Sequence, residues 1–401
     1  MNFFDRFDEA SWEFTYGDEC NPEQNVLQVG LVGIFHIDEA WRPEKRQAIA
    51  EAIERYIRDY GDKLRSGYLA NVNKLEPFNK SDGNSRIHRL LALEDDAAYT
   101  QWGASHSLDY VSDYQIDMFS PAGWFEHVHR SVSYVRFYLP ITELKEDGGR
   151  ERFERLMLDF CILLKPMHGQ AGLGLQQIYE HEKFQHLEYE IGQAFNGIDM
   201  TNPYTDRQYR DGITSVNWYT FFDDGWLAKL GGRRALSAAF DGTDIKLLPY
   251  EGGMAVRAGE WPELGWVEKE PYPDLYVKVN QVIRPIRAPK LDSMGYGSNA
   301  GEIRFDELST AQWLARFDNA PQVKASQGPR AVEYRPVTAK TGESCPHTGD
   351  WGTTRFPPEY AVVEQGAPMP PRSDGRPTDW TLRKRADGGP TSVAVEKDAE
   401  E

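Results

Sequence analysis

The chain has 401 residues, a formal charge of −18 at pH 7 and a pI near 5.0. That acidity argues against a nucleic-acid binder, which needs a basic face to meet phosphates; it suits a basic protein partner or plain solubility. The length allows one large domain or two smaller ones, and the three scattered cysteines, Cys20, Cys161 and Cys345, form no CxxC pair and fit a reducing compartment.

The opening MNFFDRFDE has no basic stretch followed by an apolar one, so no signal peptide is predicted. No run approaches the ~18 apolar residues that span a bilayer, and a cytoplasmic protein is expected. Residues 1–24 read as an acidic, aromatic segment carrying Asp5, Asp8, Glu9, Asp18 and Glu19 against Arg6. A strand is predicted over Val26–Ile37. Trp41-Arg42-Pro43 then opens a helix that sets Ala48, Ile49, Ala52, Ile53, Tyr56, Ile57 and Tyr60 on one stripe until Gly61-Asp62 stops it. Leu64–Asn71 follows as a strand, Asn79–Ser107 is polar and poorly patterned, and Leu108–Ser120 and Val132–Leu139 alternate like antiparallel strands. Arg152–Leu164 is a second amphipathic helix with Phe153, Leu156, Met157, Phe160 and Leu164 inward, and Cys161 on its apolar face reads as a buried free thiol. Gly172–Tyr179 is a strand and Tyr189–Phe195 a helix.

Next come a buried-type strand over Val216–Phe222, an Asp223-Asp224-Gly225 break offering a helix cap, a short helix with Trp226, Leu227 and Leu230, and a stop at Gly231-Gly232. Glu251-Gly252-Gly253 turns between strands Ile245–Tyr250 and Met254–Ala258. A further element spans Leu275–Ile286 and a last helix Ser309–Phe317. Strands in hairpins with helices between them predict an α+β fold, antiparallel sheets covered by helices. The second group of strands echoes the first in order, which admits two related halves, although the halves share no sequence identity. Residues 321–401 change character, with 11 Pro and 8 Gly and nearly cancelling charges. The predicted division is an acidic segment 1–24, a body 25–318, a linker 319–340, a small β-rich appendage 341–385 and a disordered tail 386–401.

Chemistry is sparse. In Glu180-His181-Glu182-Lys183-Phe184-Gln185-His186 the histidines are five apart, whereas ligands on one helical face are three or four apart. Glu126-His127-Val128-His129 is an HxH pair that a strand could aim to one side, with no third ligand nearby. Gly169-Gln170-Ala171-Gly172-Leu173-Gly174 follows a helix and opens a strand, the reverse of a phosphate cradle, and marks close chain approach instead. No GxSxG elbow or GxxxxGK[ST] loop occurs. Asp95-Asp96 and Asp223-Asp224 suit loops and caps, and Trp218 and Trp226 suit the core. No metal, no cofactor and no catalytic residue are predicted.

Asp211-Gly212-Ile213, Val216-Asn217-Trp218, Leu230-Gly231-Gly232 and Gly259 to Gly265, in that order, resemble the bacterial type VI immunity family. The resemblance extends upstream to Gln28–Phe35, Trp41-Arg42-Pro43 and His168 to Gly174, covering about residues 25–318. Thr341 to Trp351, Gly366 to Pro370 and Asp379-Trp380 look like a small appendage at the ends of other bacterial immunity proteins. The resemblance implies a cytoplasmic, non-enzymatic antitoxin that binds and occludes a cognate type VI secretion system toxin, such as a nuclease, in bacterial competition, with neither nucleic acid nor membrane as partner. Two alternatives stand beside it: an effector adaptor or chaperone, and an enzyme of unfamiliar type built on His127, His129 and His168. Trp is enriched at interface hot spots and acidic groups suit a basic partner. The predicted contact residues are therefore Trp261, Glu263, Trp266, Glu268 and Glu270 in one loop and Asp5, Asp8 and Glu9 at the N-terminus.

Overall fold

The strand Asn25–Ile37 is the hub of the molecule, running antiparallel between Ser133–Leu139 and His168–Gln177. It is buried along almost its whole length because both faces are covered, so its apolar residues do not alternate with polar ones. The computed structural model describes residues 2–18, 21, 23–69, 76–78, 99–107, 110–178, 184–203, 208–295, 303–318, 332–353 and 359–396. Glu19, Cys20, Asp95, Asp96 and residues 180–183 lie outside them.

From the hub a single antiparallel sheet extends both ways. Its order is Ile245–Tyr250, Gly253–Ala258, Tyr219–Asp223, His168–Gln177, Asn25–Ile37, Ser133–Leu139, Gln115–Pro121, Tyr99–Ser105, Ser66–Leu69 and Glu76–Pro77. Tyr16–Gly17 pairs with the start of the hub strand, outside that path. The two strand groups told apart in the sequence thus meet in one sheet. Tyr99–Ser105, inside the stretch read as unpatterned, is a strand because Gln115–Pro121 pairs with it residue for residue; such pairing overrides weak local preference. Conversely, Val216, Asn217 and Trp218 lead into the strand Tyr219–Asp223 and are not part of it.

Helices Pro43–Tyr60 and Gly149–Leu164 cover one face. Phe35, Phe137 and Phe221 point from neighbouring strands into this layer: Phe35 stacks on Phe221 and meets Phe137 and Phe160 at a tilt, Phe160 also meets Phe137 edge-on, and Tyr56 and Phe153 pack on Phe137. Arg55 Nε joins the two helices to each other through Asp159 at 2.7 Å. Cys161 is buried within the layer as a free thiol, which burial pushes well above its usual value. The glycine-rich stretch marks close approach, as its composition implied: a Cβ on Gly169 would sit 2.1 Å from the Ile34 carbonyl oxygen, and one on Gly174 2.2 Å from Val32 Cγ1. Asp223 caps the helix Asp224–Lys229 by accepting from Trp226 N at 2.8 Å, and a second short helix, Gly232–Ala239, starts where the first stops.

The opposite face mixes a small apolar cluster, Val32, Ile34 and Tyr138, with buried polar groups. Arg136 pairs with Asp117 at 3.2 Å, and Gln170 Nε2 donates to Asp199 Oδ2 at 2.7 Å. Buried charges persist here because each finds a partner.

The chain separates into two compact units, residues 1–180, 194–294 and 307–321 in the first, and 181–193, 295–306 and 322–401 in the second. In the second unit Thr338–Lys340, Asp379–Arg385, Gly349–Thr353 and Tyr360–Val363 form a four-stranded antiparallel sheet in that order. Its core is Val337, Ala339, Cys345, Trp351, Val363, Met369, Trp380 and Leu382. Trp351 and Trp380 direct their ring N–H groups to the carbonyls of His347 and Pro370, so both large rings are buried without an orphaned donor. Val332–Pro336 and Ser392–Glu396, read from composition as linker and disordered tail, pair antiparallel instead; each supplies the ladder partner that neither composition reveals.

Candidate functional site

The N-terminal segment and the 261–270 loop, predicted separately as contact regions, lie against each other. Asn2 caps helix Phe3–Ala10, accepting from Asp5 N at 3.0 Å while Asp5 accepts from Asn2 N at 3.3 Å. The helix turns Phe3 and Phe7 inward. Phe3 and Phe4 meet the Trp261 ring at centroid distances of 6.5 and 5.1 Å, and Phe7, Phe14, Phe195 and Trp266 continue as a chain of tilted and edge-on rings. Ion pairs close the edges: Arg6 with Glu270 and Lys269 with Glu9, both at 2.9 Å, and Lys145 with Asp8 at 2.9 Å.

Several predicted contact residues are therefore internal. Trp266 is buried, and its amide donates to Glu270 Oε2 at 3.1 Å. Trp261 is half-buried under Phe3 and Phe4, with Arg150 over its ring. Glu263 is half-buried, and burial, then the nearby Glu270 carboxylate, push it up to about 7 against the pull of Arg6. Local sequence cannot show that an aromatic segment elsewhere will cover a loop; hence the expectation of exposure for Trp266. Asp5, Asp8, Glu9 and Glu268 keep exposed carboxylates.

A second site lies at the end of the hub strand, and sequence reasoning did not assemble it. Past Ile37 the chain turns through Asp38 and Glu39, and Glu39 sits in the left-handed region at φ 52°. A cleft of about 420 Å³ opens there between Asp38, Glu39, Trp41, Glu126, Arg130 and Arg210. Glu126 comes from the helix Gly123–His129 and is buried; Arg210 comes from the turn before Asp211-Gly212. Arg210 Nη1 lies 2.8 Å from Asp38 Oδ1, and its Nη2 donates to Glu126 Oε1 at 2.6 Å and to the Ser131 carbonyl at 3.1 Å. The same Glu126 Oε1 accepts from Glu39 N at 2.9 Å, while Oε2 is buried with no hydrogen-bond partner. Burial pushes the Glu126 carboxyl up to about 7; the Glu39 amide pulls it down and the adjoining Asp38 carboxyl adds to the rise. Burial would raise Asp38 too, but its contacts with Glu126 and Arg210 hold it below the ordinary range. At the rim Arg42 pairs with Glu39 and Arg130 with Asp211.

The histidines do not converge on a reaction centre. His127 and His129 lie on a helix rather than the strand envisaged, two positions apart and so on different faces, with His129 against Phe125. His168 is buried, its Nε2 on the Tyr209 carbonyl, and His36 stacks on Tyr209 at 4.0 Å. Burial pushes His168 down to about 4, and burial together with His168 lowers His36 well below its usual value. Among the described residues no group of three His, Cys, Asp or Glu side chains is placed to hold a metal ion, and no helix is long and apolar enough to cross a membrane. The signal for the cleft was present in part: Asp38-Glu39 directly after a strand, and Arg210 at the head of the Asp211-Gly212-Ile213 motif. What was missing was the 84-residue separation between Arg210 and Glu126.

Comparison with known proteins places this architecture. A solved structure, Pseudomonas aeruginosa T6SS protein PA0821, is similar with a TM-score of 0.68 and 19% identity over 79% of this chain and 91% of that chain, which establishes a shared fold. No curated protein matches the chain. The model of the family TsiV, type VI immunity for VRR-NUC, matches residues 48–317, starting within the first long helix and so after Gln28–Phe35 and Trp41-Arg42-Pro43. The chain belongs to that family and is a type VI secretion system immunity protein against a VRR-NUC nuclease toxin.

Proposed function

We propose that the chain neutralises its nuclease by binding it in the cytoplasm and covering the groove that holds nucleic acid, without catalysis of its own. The family match over residues 48–317 carries this reading, since it specifies the class of toxin. A nuclease must present cations to phosphates, and a partner of charge −18 is drawn to such a surface at long range. Asp5, Asp8, Glu9 and Glu268, exposed on the N-terminal face, are assigned to this steering. Trp261, Glu263, Trp266 and Glu270 are assigned to holding the N-terminal helix in place. The cytoplasm follows from where a nuclease finds its substrate, and no nucleic-acid or membrane partner enters the reading.

The test is inhibition in vitro. Purified chain titrated into the cognate nuclease should abolish cleavage of a plasmid in step with complex formation. A stable complex in which the nuclease stays fully active would replace inhibition by an adaptor or chaperone role. Inhibition at amounts far below one chain per nuclease would point to chemical modification of the toxin, and so to an enzyme.

A further inference from the structure

Helix Gly123–His129 carries two large apolar side chains in water. Trp124 is 56% and Val128 68% exposed, and their i, i+4 spacing puts them side by side on one helical face. Behind that face is the cleft of Asp38, Glu126 and Arg210. Two of the three non-glycine residues in the left-handed region among the described residues, Glu39 at φ 52° and Arg130 at φ 54°, stand at its rim. Backbone strain of this kind gathers where a structure holds a site in one shape. Gly123 lets the helix sit directly on Trp41, whose ring atoms would lie 2.6 Å from any Cβ there, so the helix is fixed against the cleft wall.

We propose that this helix and the cleft behind it form the docking surface for the cognate nuclease, with Trp124 and Val128 as the apolar anchor and the Asp38–Glu126 pair receiving a basic side chain of the toxin. The inference rests on the function proposed above and adds the location of the contact. Charge complementarity selects the occupant. One guanidinium, Arg210, serves two carboxylates, and Glu126 Oε2 is buried beside the Asp38 carboxyl with no N–H donor on it. With Glu126 ionised, two carboxylates share one guanidinium, so the site holds either the Glu126 proton or a further cation. Of the other nearby bases, Arg42 and Arg130 are engaged by Glu39 and Asp211, and His127 lines the cleft as a neighbour of Glu126 on the same helix. A surface built to bind phosphates offers arginine or lysine side chains, and an arriving guanidinium or ammonium would satisfy Oε2 and draw the proton from Glu126. Tryptophan is among the residues enriched at binding hot spots.

The experiment measures affinity of the purified full-length chain for its nuclease by titration calorimetry, with plasmid cleavage read in parallel. Trp124→Ala and Val128→Asp should each weaken binding by about 30-fold or more, the scale of a hot-spot residue. Glu126→Gln, which keeps the amide contact of Glu39 but not the charge, should weaken it about tenfold. Both surface variants should melt with the parent protein, since their side chains face water. Trp12→Ala, at another residue that is 67% exposed, is the control and should leave affinity unchanged. Wild-type binding with undiminished affinity in Trp124→Ala and Val128→Asp would overturn the docking surface and leave the immunity reading intact. An equal loss in Trp12→Ala would also overturn it, by removing its locality. Failure of the wild-type chain to bind the nuclease would overturn both.

Discussion

Arg210 Nη2 donates to the buried Oε1 of Glu126 at 2.6 Å, tying the turn before Gly212 to the helix Gly123–His129. Glu126 is 3% exposed and Arg210 one quarter exposed, so the contact is shielded on one side only. It fixes the cleft wall because the carboxylate cannot recover its hydration once the helix is seated.

Replacing Arg210 by alanine should therefore cost more than a surface pair. Asp38 and Glu126 would face each other without a cation, and we expect about 2 kcal/mol of lost stability, below the full penalty for breaking a buried pair because Arg210 is partly hydrated. Urea unfolding of the two proteins checks this. Arg210→Lys should recover only part, since an ammonium cannot reach both carboxylates in a fork.

The Glu126 carboxyl also sets a pH dependence. Its folded value, about 7, lies above the unfolded one near 4.5, so the folded chain holds the extra proton between them. For this group stability is greatest below the unfolded value and falls as pH rises through the window to about 7. Asp38, held low, acts in the opposite sense: its contribution is present above the ordinary carboxylate range and lost as pH falls through its folded value. The comparison that isolates Glu126 is the melting temperature of wild type and Glu126→Gln between pH 5 and 8. Wild type should lose ground to the variant as pH rises; parallel curves would contradict this.

Buried imidazoles govern the acid limb. His168, at about 4 in the fold, and His36, also lowered, stay neutral where an unfolded histidine is charged. Their stabilising effect is complete above the unfolded value near 6.5 and is lost as pH falls toward the folded one. His168→Gln should flatten the decline in melting temperature between pH 6.5 and 4, whatever it does to stability at pH 7.

Phe14 is 1% exposed between Phe7 and Phe195, where it links the N-terminal helix to the body. Phe14→Ala should cost about 3 kcal/mol, transfer plus cavity. Limited proteolysis should then cut first within residues 2–18, and cutting elsewhere first would show that the segment holds on by other contacts.

Reversing the exposed carboxylates of the N-terminal face tests steering apart from docking. In Asp5→Lys, Asp8→Lys, Glu9→Lys and Glu268→Lys combined, the association rate with the nuclease should fall about tenfold at low salt while dissociation changes little. Rates measured by surface plasmon resonance at two ionic strengths distinguish the two.

Much of the architecture was legible locally. The stripe from Ile49 to Tyr60, the Asp223 cap and the turn at Glu251-Gly252 each rest on spacings of a few residues, and such spacings decide local conformation before any tertiary contact forms. Tyr99–Ser105, Val332–Pro336 and Ser392–Glu396 were not legible, because each is a strand only through a partner up to 64 residues away.

The same boundary runs through function. By itself the sequence determined an acidic α+β chain without a recognisable catalytic constellation and, through the order of its motifs, membership of an immunity family. Only the tertiary structure decided which side chains face solvent. It buried Trp266 beneath Phe195, paired Glu270 with Arg6, and left Trp124 and Val128 in water beside a carboxylate pair that shares one guanidinium. Burial and pairing arise from contacts between segments distant in sequence, and no local pattern carries that information.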